Sequence, residues 1–274
     1  MRSMTRRVED IGNAVAAFVA AGRIGAAATL AGWPVLLGRG LFYVVCLLVL
    51  TALWDKVAAE RLPGALTLPA GGLALYVGAT EWITLSVPAV QLRLEDDIRL
   101  GALEAHLLRP KPYLSQRIAE AIGALLARLA VTGAIAILLL AVSDRPGPAL
   151  LAYPSLAVLG VLGGVIGVLL YTVSGLSAFW VRKTLPAMLI IQKLMFLLGG
   201  LFAPISLYPG LFRRAAEASP FAAGLYWPAR QIINPSVNGV MVALAWQVLW
   251  IGLLTGLVAA IWRAGLRKVL REGL

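Results

Sequence analysis

The sequence predicts an all-α membrane protein: six transmembrane helices, an N-terminal amphipathic interfacial helix, a polar helical segment between spans 2 and 3, and re-entrant helices between spans 5 and 6. Two observations carry that reading. Sixty per cent of the 274 residues are hydrophobic and only 14% charged, with a mean hydropathy of +0.87, a balance that a water-facing surface cannot absorb. The apolar residues also gather in stretches near the roughly 20 residues that a helix needs to cross the hydrocarbon core, and not in the short alternating segments of a membrane barrel.

Residues 8–37 read as the interfacial helix, because Val8, Ile11, Val15, Phe18 and Gly22 recur at helical spacing while Glu9, Asp10, Asn13 and Arg23 fall elsewhere on the wheel. The opening MRSMTRRVEDIGN lacks the apolar core and cleavage site of a secretory signal, so the first span is expected to stay in the mature protein. That span is placed at 40–59. Pro63 and Gly64 supply turn chemistry before the second span, 68–90, which Glu81 interrupts. The polar segment 91–120 must lie in water. The third span, 122–142, carries Arg128 near its start and ends at a turn with Asp144, Pro146 and Gly147.

The fourth span, 150–180, is longer than one straight crossing needs, which predicts tilt, a kink or protrusion. Within it Gly160, Gly163, Gly164 and Gly167 put small residues four apart in two registers, the spacing that lets helix backbones approach closely. The fifth span, 186–204, carries Lys193 and should break at Gly199, Gly200 and Pro204, because glycine weakens a helix and proline lacks the backbone donor. Residues 205–236, with Pro209, Pro220, Pro228 and Pro235, are too broken to span and too apolar for a free loop, so re-entrant or interfacial helices are expected on the extracytoplasmic side. The sixth span, 237–262, ends in a basic stripe of Arg263, Arg267, Lys268 and Arg271.

Charge orients the bundle. With both termini in the cytoplasm, Lys56, Arg61, Arg145, Arg213, Arg214 and Arg230 lie outside, six of the 24 basic residues, which satisfies the positive-inside bias. The same bias accounts for 24 Lys and Arg against 13 Asp and Glu, so nucleic acid is not an expected partner. No G-x-x-x-x-G-K-[ST] loop, G-x-S-x-G or H-E-x-x-H occurs, which argues against nucleotide hydrolysis or any other catalysis by this chain. One histidine, His106, and one cysteine, Cys46, are too few soft ligands for a zinc site, and no metal site is expected.

Residues 94–108 read as one amphipathic helix with an apolar face of Leu100, Leu103, Leu107 and Leu108, stopped by Pro110 and Pro112. Glu95, Asp96 and Asp97 precede the run from Ile98, while Arg109 and Lys111 follow it, charges that suit the helix dipole. A connector helix without a further role is the plain alternative.

"DDIRLGALEAHLLRP" (96–110) resembles the segment after the second span in a subfamily of type-2 ATP-binding-cassette permeases. "GGLFAPISLYPGLFRRAAEASPF" (199–221) resembles that subfamily's junction between spans five and six. The resemblance implies a permease, paired with a second identical or related permease on two ATPase subunits, in a bacterial inner membrane. ATP and magnesium would then belong to the ATPase, with no cofactor in this chain. It also implies that 91–120 is the coupling segment, with Glu95, Asp96, Asp97, Ile98, Arg99, Leu100, Leu103, Glu104, Leu107 and Leu108 as candidates for coupling to the ATPase. Export is favoured over import by the resemblance alone, and without a long soluble extension a polymer cargo is not indicated. Glu81 is the candidate pathway residue, since a carboxylate inside a span is costly unless paired, protonated or facing water; a hydrogen bond to another helix is the competing reading. An ion-coupled secondary transporter, with Glu81, Arg128 and Lys193 as a relay, is the alternative function.

Overall fold

A computed structural model describes residues 2–59, 72–103, 112–142, 152–181, 183–201 and 204–272. The described residues form eleven α-helices: α1 Arg2–Ala31, α2 Trp33–Ala59, α3 Gly72–Ser86, α4 Val90–Arg99, α5 Tyr113–Ala141, α6 Ala152–Leu176, α7 Leu185–Leu198, α8 Gly210–Glu217, α9 Pro220–Gly224, α10 Tyr226–Ile233 and α11 Val237–Glu272. Two 3-10 turns, Ser177–Phe179 and Ile205–Leu207, complete them, and no strand occurs among the described residues.

Six stretches are long and apolar enough to cross a membrane: Gly12–Ala31, Trp33–Trp54, Gly72–Arg99, Tyr113–Ala141, Ala152–Phe179 and Val237–Arg271. Five of them overlap the spans read from the sequence at 40–59, 68–90, 122–142, 150–180 and 237–262, whereas Gly12–Ala31 stands where the expected fifth span, 186–204, does not qualify. The interfacial assignment 8–37 ran across a helix boundary, because α2 already begins at Trp33. Pro34 sits in its first turn, where the missing N–H is one the helix would leave unbonded anyway. The fifth stretch falls short, since α7 has 14 residues and stops before Gly200, whose φ of 68° suits glycine. Polar heads extend α5 nine residues ahead of the expected start, and α11 runs ten beyond the expected end to carry the basic stripe.

Contacts along α3 set the direction of every neighbour. Tyr43 donates to the Gly78 carbonyl and Arg39 to the Leu85 carbonyl, so α2 runs against α3. The Trp82 indole donates to Leu129 and Arg128 donates to Val87, so α5 does too. Gly160 lies on Trp82, Gly167 on Val87 and Gly175 on Leu94, so α6 runs with α3 and α4. Gln247 donates to Leu159, and Gly265 lies on Phe179, so α11 runs with α6. Despite its length α7 joins both ends of this frame: Met188 accepts from Gln91 at one end, and Tyr76 donates to Gly200 at the other.

The small residues of α6 are contact points inside the chain. A Cβ on Gly160 would meet the Trp82 ring, on Gly163 the Gly224 carbonyl, on Gly164 Leu125 and on Gly167 Val87, all below 3 Å. Large apolar side chains left outward on α2, α5 and α11, such as Leu48, Ile137 and Val248, occupy the faces that lipid would cover. The short helices α8 to α10 fold over the end where Tyr76 meets Tyr226, with Ser219 capping α9 by accepting from the Ala222 N–H.

Candidate functional site

At the opposite end of the bundle α4 is tied to α5, α6 and the start of α7. Its sequence alternates by face: Val90, Gln91, Leu94 and Ile98 turn inward, and Leu94 and Ile98 are fully buried. Close approach to α6 requires Gly175, where a Cβ would come 2.8 Å from the Gln91 Cα and 2.9 Å from Leu94.

The acidic residues then reach sideways. Glu95 accepts from the Thr184 backbone N–H at 3.0 Å and from its hydroxyl, so it sits on the N-terminus of α7, where Thr184 precedes Leu185 and Pro186. Its other oxygen accepts from Arg99 at 3.2 Å. Asp97 accepts from the Tyr113 hydroxyl at 2.6 Å and from Arg117 at 2.8 and 3.0 Å. Arg117 also donates to Glu120 at 2.9 Å, lies over the Tyr113 ring at 5.4 Å, and that ring stacks on Trp262 of α11 at 5.6 Å. Carboxylates fixed by charged or fork-shaped donors are the strong class of hydrogen bond. Polar links thus join α4 to α5 and to the start of α7, packing joins it to α6, and the Tyr113 ring joins α5 to α11.

This differs from the sequence reading of one helix over 94–108. α4 ends at Arg99, and Gly101 adopts φ 73°, a left-handed turn that stops it. Glu95 and Asp97 lie in the second half of α4 with inward partners, so the dipole argument that placed the acids at a helix start does not apply. The apolar face divides as well: Leu103 is fully buried whereas Leu100 is 80% exposed. Glu104, Leu107 and Leu108 lie outside the described residues. The face that α4 offers outward is Leu92, Arg93, Asp96 and Arg99, with Leu100 beyond it. Tyr113, Arg117, Thr184 and Trp262 were missed. Thr184 was legible as a helix start, being a hydroxyl residue just before Leu-Pro.

Glu81 lies on α3, 8% exposed, within electrostatic reach of Tyr43 and Cys46 on α2. Among the described residues no hydrogen bond or ion pair reaches it. The three members of the alternative relay are not gathered: Arg128 donates to the Val87 carbonyl, and Lys193 lies exposed over the Phe196 ring at 5.8 Å. Among the described residues no cluster of three or more His, Cys, Asp or Glu could hold a metal. At the far end Tyr76, Arg213, Tyr226 and Arg230 line a cavity of about 190 Å³. There the hydrogen bond and charge of Glu217 hold the Arg213 guanidinium above its ordinary range.

Fold and site together define a polytopic helical membrane protein whose short amphipathic helix gathers the ends of its spans. The model of the ABC-2 family transporter protein family matches residues 77–273, from α3 to the end of α11, and the chain belongs to that family. No curated protein and no solved structure matches it.

Proposed function

We propose that the chain is the permease subunit of an ATP-driven exporter in a bacterial inner membrane. It works as a homo- or heterodimer on separate ATPase subunits, which bind ATP and magnesium, and performs no chemistry itself. Membership of the ABC-2 transporter family supports the permease role. The observation that carries the mechanism is α4: its inward acids grip Thr184, Tyr113 and Arg117, while Leu92, Asp96, Arg99 and Leu100 remain outward. An ATPase pressing on that outward face would move α5, α6, α7 and α11 together. Arg93, Arg99, Lys183, Arg263, Arg267 and Arg271 lie at this end and Lys56, Arg213, Arg214 and Arg230 at the other, so α4 and both termini face the cytoplasm. The helices α8 to α10 are then the extracytoplasmic re-entrant region.

The test is Asp96→Arg with Leu100→Glu, which alters only outward side chains. The variant should stay monodisperse and lose co-purification of the ATPase at least tenfold. Full retention of the ATPase and of transport would sink the coupling role of α4. An ion-coupled carrier is the second reading, resting on Glu81, which has no partner among the described residues; transport that persists without ATP and stops when the proton gradient is dissipated would establish it in place of the first.

A further inference from the structure

The junction at Gly32 between α1 and α2, the break at Pro88 and Ala89 between α3 and α4, and the flank of α5 enclose a cleft of about 380 Å³. Four arginines line it, Arg39, Arg93, Arg117 and Arg128, with one carboxylate, Glu120. Arg117 is engaged by Asp97 and Glu120. The other three guanidiniums have no carboxylate among the described residues, yet they stand near enough for Arg128 to feel the charge of Arg39 and Arg93. Arg39 and Arg128 each spend one N–H on a carbonyl where α3 ends, Leu85 and Val87, and Arg93 on none that is described. A guanidinium offers five N–H donors in a rigid fork, so most donors of Arg39, Arg93 and Arg128 lack an acceptor among the described residues.

Three like charges gathered beside low-dielectric protein repel one another unless an anion joins them. The surroundings say which kind. The cleft lies where the apolar α3 gives way to the polar α4, which in the orientation proposed above is the level of the lipid headgroups. One wall is the apolar side of α2, and Val35 on its rim is 69% exposed. A soluble anion would have no use for that wall, whereas an acyl chain would cover it.

The geometry points to a binding site for the phosphate of an anionic phospholipid, held by Arg39, Arg93 and Arg128 in the leaflet on the side of α4, with its acyl chains along α2. A lipid there would sit against α1, α2, α4 and α5 at once, between the α4 hub and the membrane.

The full-length chain, purified in neutral detergent, is titrated with phosphatidylglycerol and with phosphatidylcholine of the same acyl chains, and bound lipid is counted by native mass spectrometry. One phosphatidylglycerol per chain should bind in preference to phosphatidylcholine. Each arginine removed should weaken it about fivefold, so Arg39→Gln with Arg93→Gln loses about 25-fold. Arg267→Gln with Arg271→Gln, outside the cleft, should change nothing. Arg93 makes no hydrogen bond or ion pair among the described residues, so Arg93→Gln carries the test if the double variant does not fold. Equal binding of the two lipids, or full affinity in Arg93→Gln, would overturn the site. Displacement of the lipid by millimolar inorganic phosphate would reassign it to a soluble anion and overturn the lipid.

Discussion

Asp97 and Arg117 should be energetically coupled, and the coupling can be sized from their geometry. The Asp97 carboxylate accepts from Arg117 at 2.8 and 3.0 Å and from Tyr113 at 2.6 Å. Their side chains are 16% and 19% exposed, so solvent screens part of the attraction, and Arg117 retains Glu120 when Asp97 is gone. A hydrogen bond to a charged group contributes about 1.5–3 kcal/mol and the neutral Tyr113 bond about 1 kcal/mol. Asp97→Ala should therefore destabilise the chain by about 2–4 kcal/mol, and the Asp97→Ala, Arg117→Ala cycle should return a coupling of about 1–2 kcal/mol. Tyr113→Phe isolates the hydroxyl. Asp96→Ala, one residue away and outward, should stay within about 0.5 kcal/mol of the parent. Unfolding of the full chain in mixed micelles, followed by circular dichroism, measures all of these. A coupling below about 0.5 kcal/mol, or an Asp97→Ala as mild as Asp96→Ala, would refute the view of α4 as a polar hub.

Two further outcomes are expected with the same unfolding assay. Gly163→Ala places a methyl 2.2 Å from the Gly224 carbonyl, backbone against backbone. It should cost about 1–3 kcal/mol by forcing α6 from α9. Gly252→Ala meets nothing within 4 Å and should gain up to about 1 kcal/mol of helix propensity, so equal midpoints for the two would contradict the packing. Glu81→Gln removes a buried carboxylate that no described residue pairs, and should hold or raise the midpoint. A loss above about 1 kcal/mol would mean that Glu81 has a structural partner; unchanged transport of every cargo would remove it from the pathway.

The spans were legible because the demand of lipid on each residue is local. A run near 20 apolar residues announces itself, as the sequence of α2, α3, α5, α6 and α11 does. The α6 glycines were legible as close-contact residues by their spacing, but Trp82, Leu125, Val87 and Gly224 as their neighbours were not. The fifth span shows the limit of length as a signal. α7 is 14 residues long, yet its ends meet Gln91 and Tyr76 at the two ends of the frame set by α3. The reading of 94–108 as one helix failed on a single residue, since helix-forming neighbours on both sides of Gly101 hid the left-handed turn that only the backbone reveals.

Composition and periodicity were enough for the class of protein, its solvent and the existence of an amphipathic helix after the second span, because each depends on residues a few positions apart. The partners of that helix depend on residues that meet across the bundle: Glu95 with Thr184 at 89 positions' remove, and Asp97 with Arg117 at 20. One turn of helix is about 3.6 residues, so a slip of a single position would carry Asp97 from Arg117 toward solvent beside Asp96 without altering any local pattern. Which acids grip the spans and which face outward was therefore a matter of packing, set in part by how closely Gly175 lets α4 approach α6.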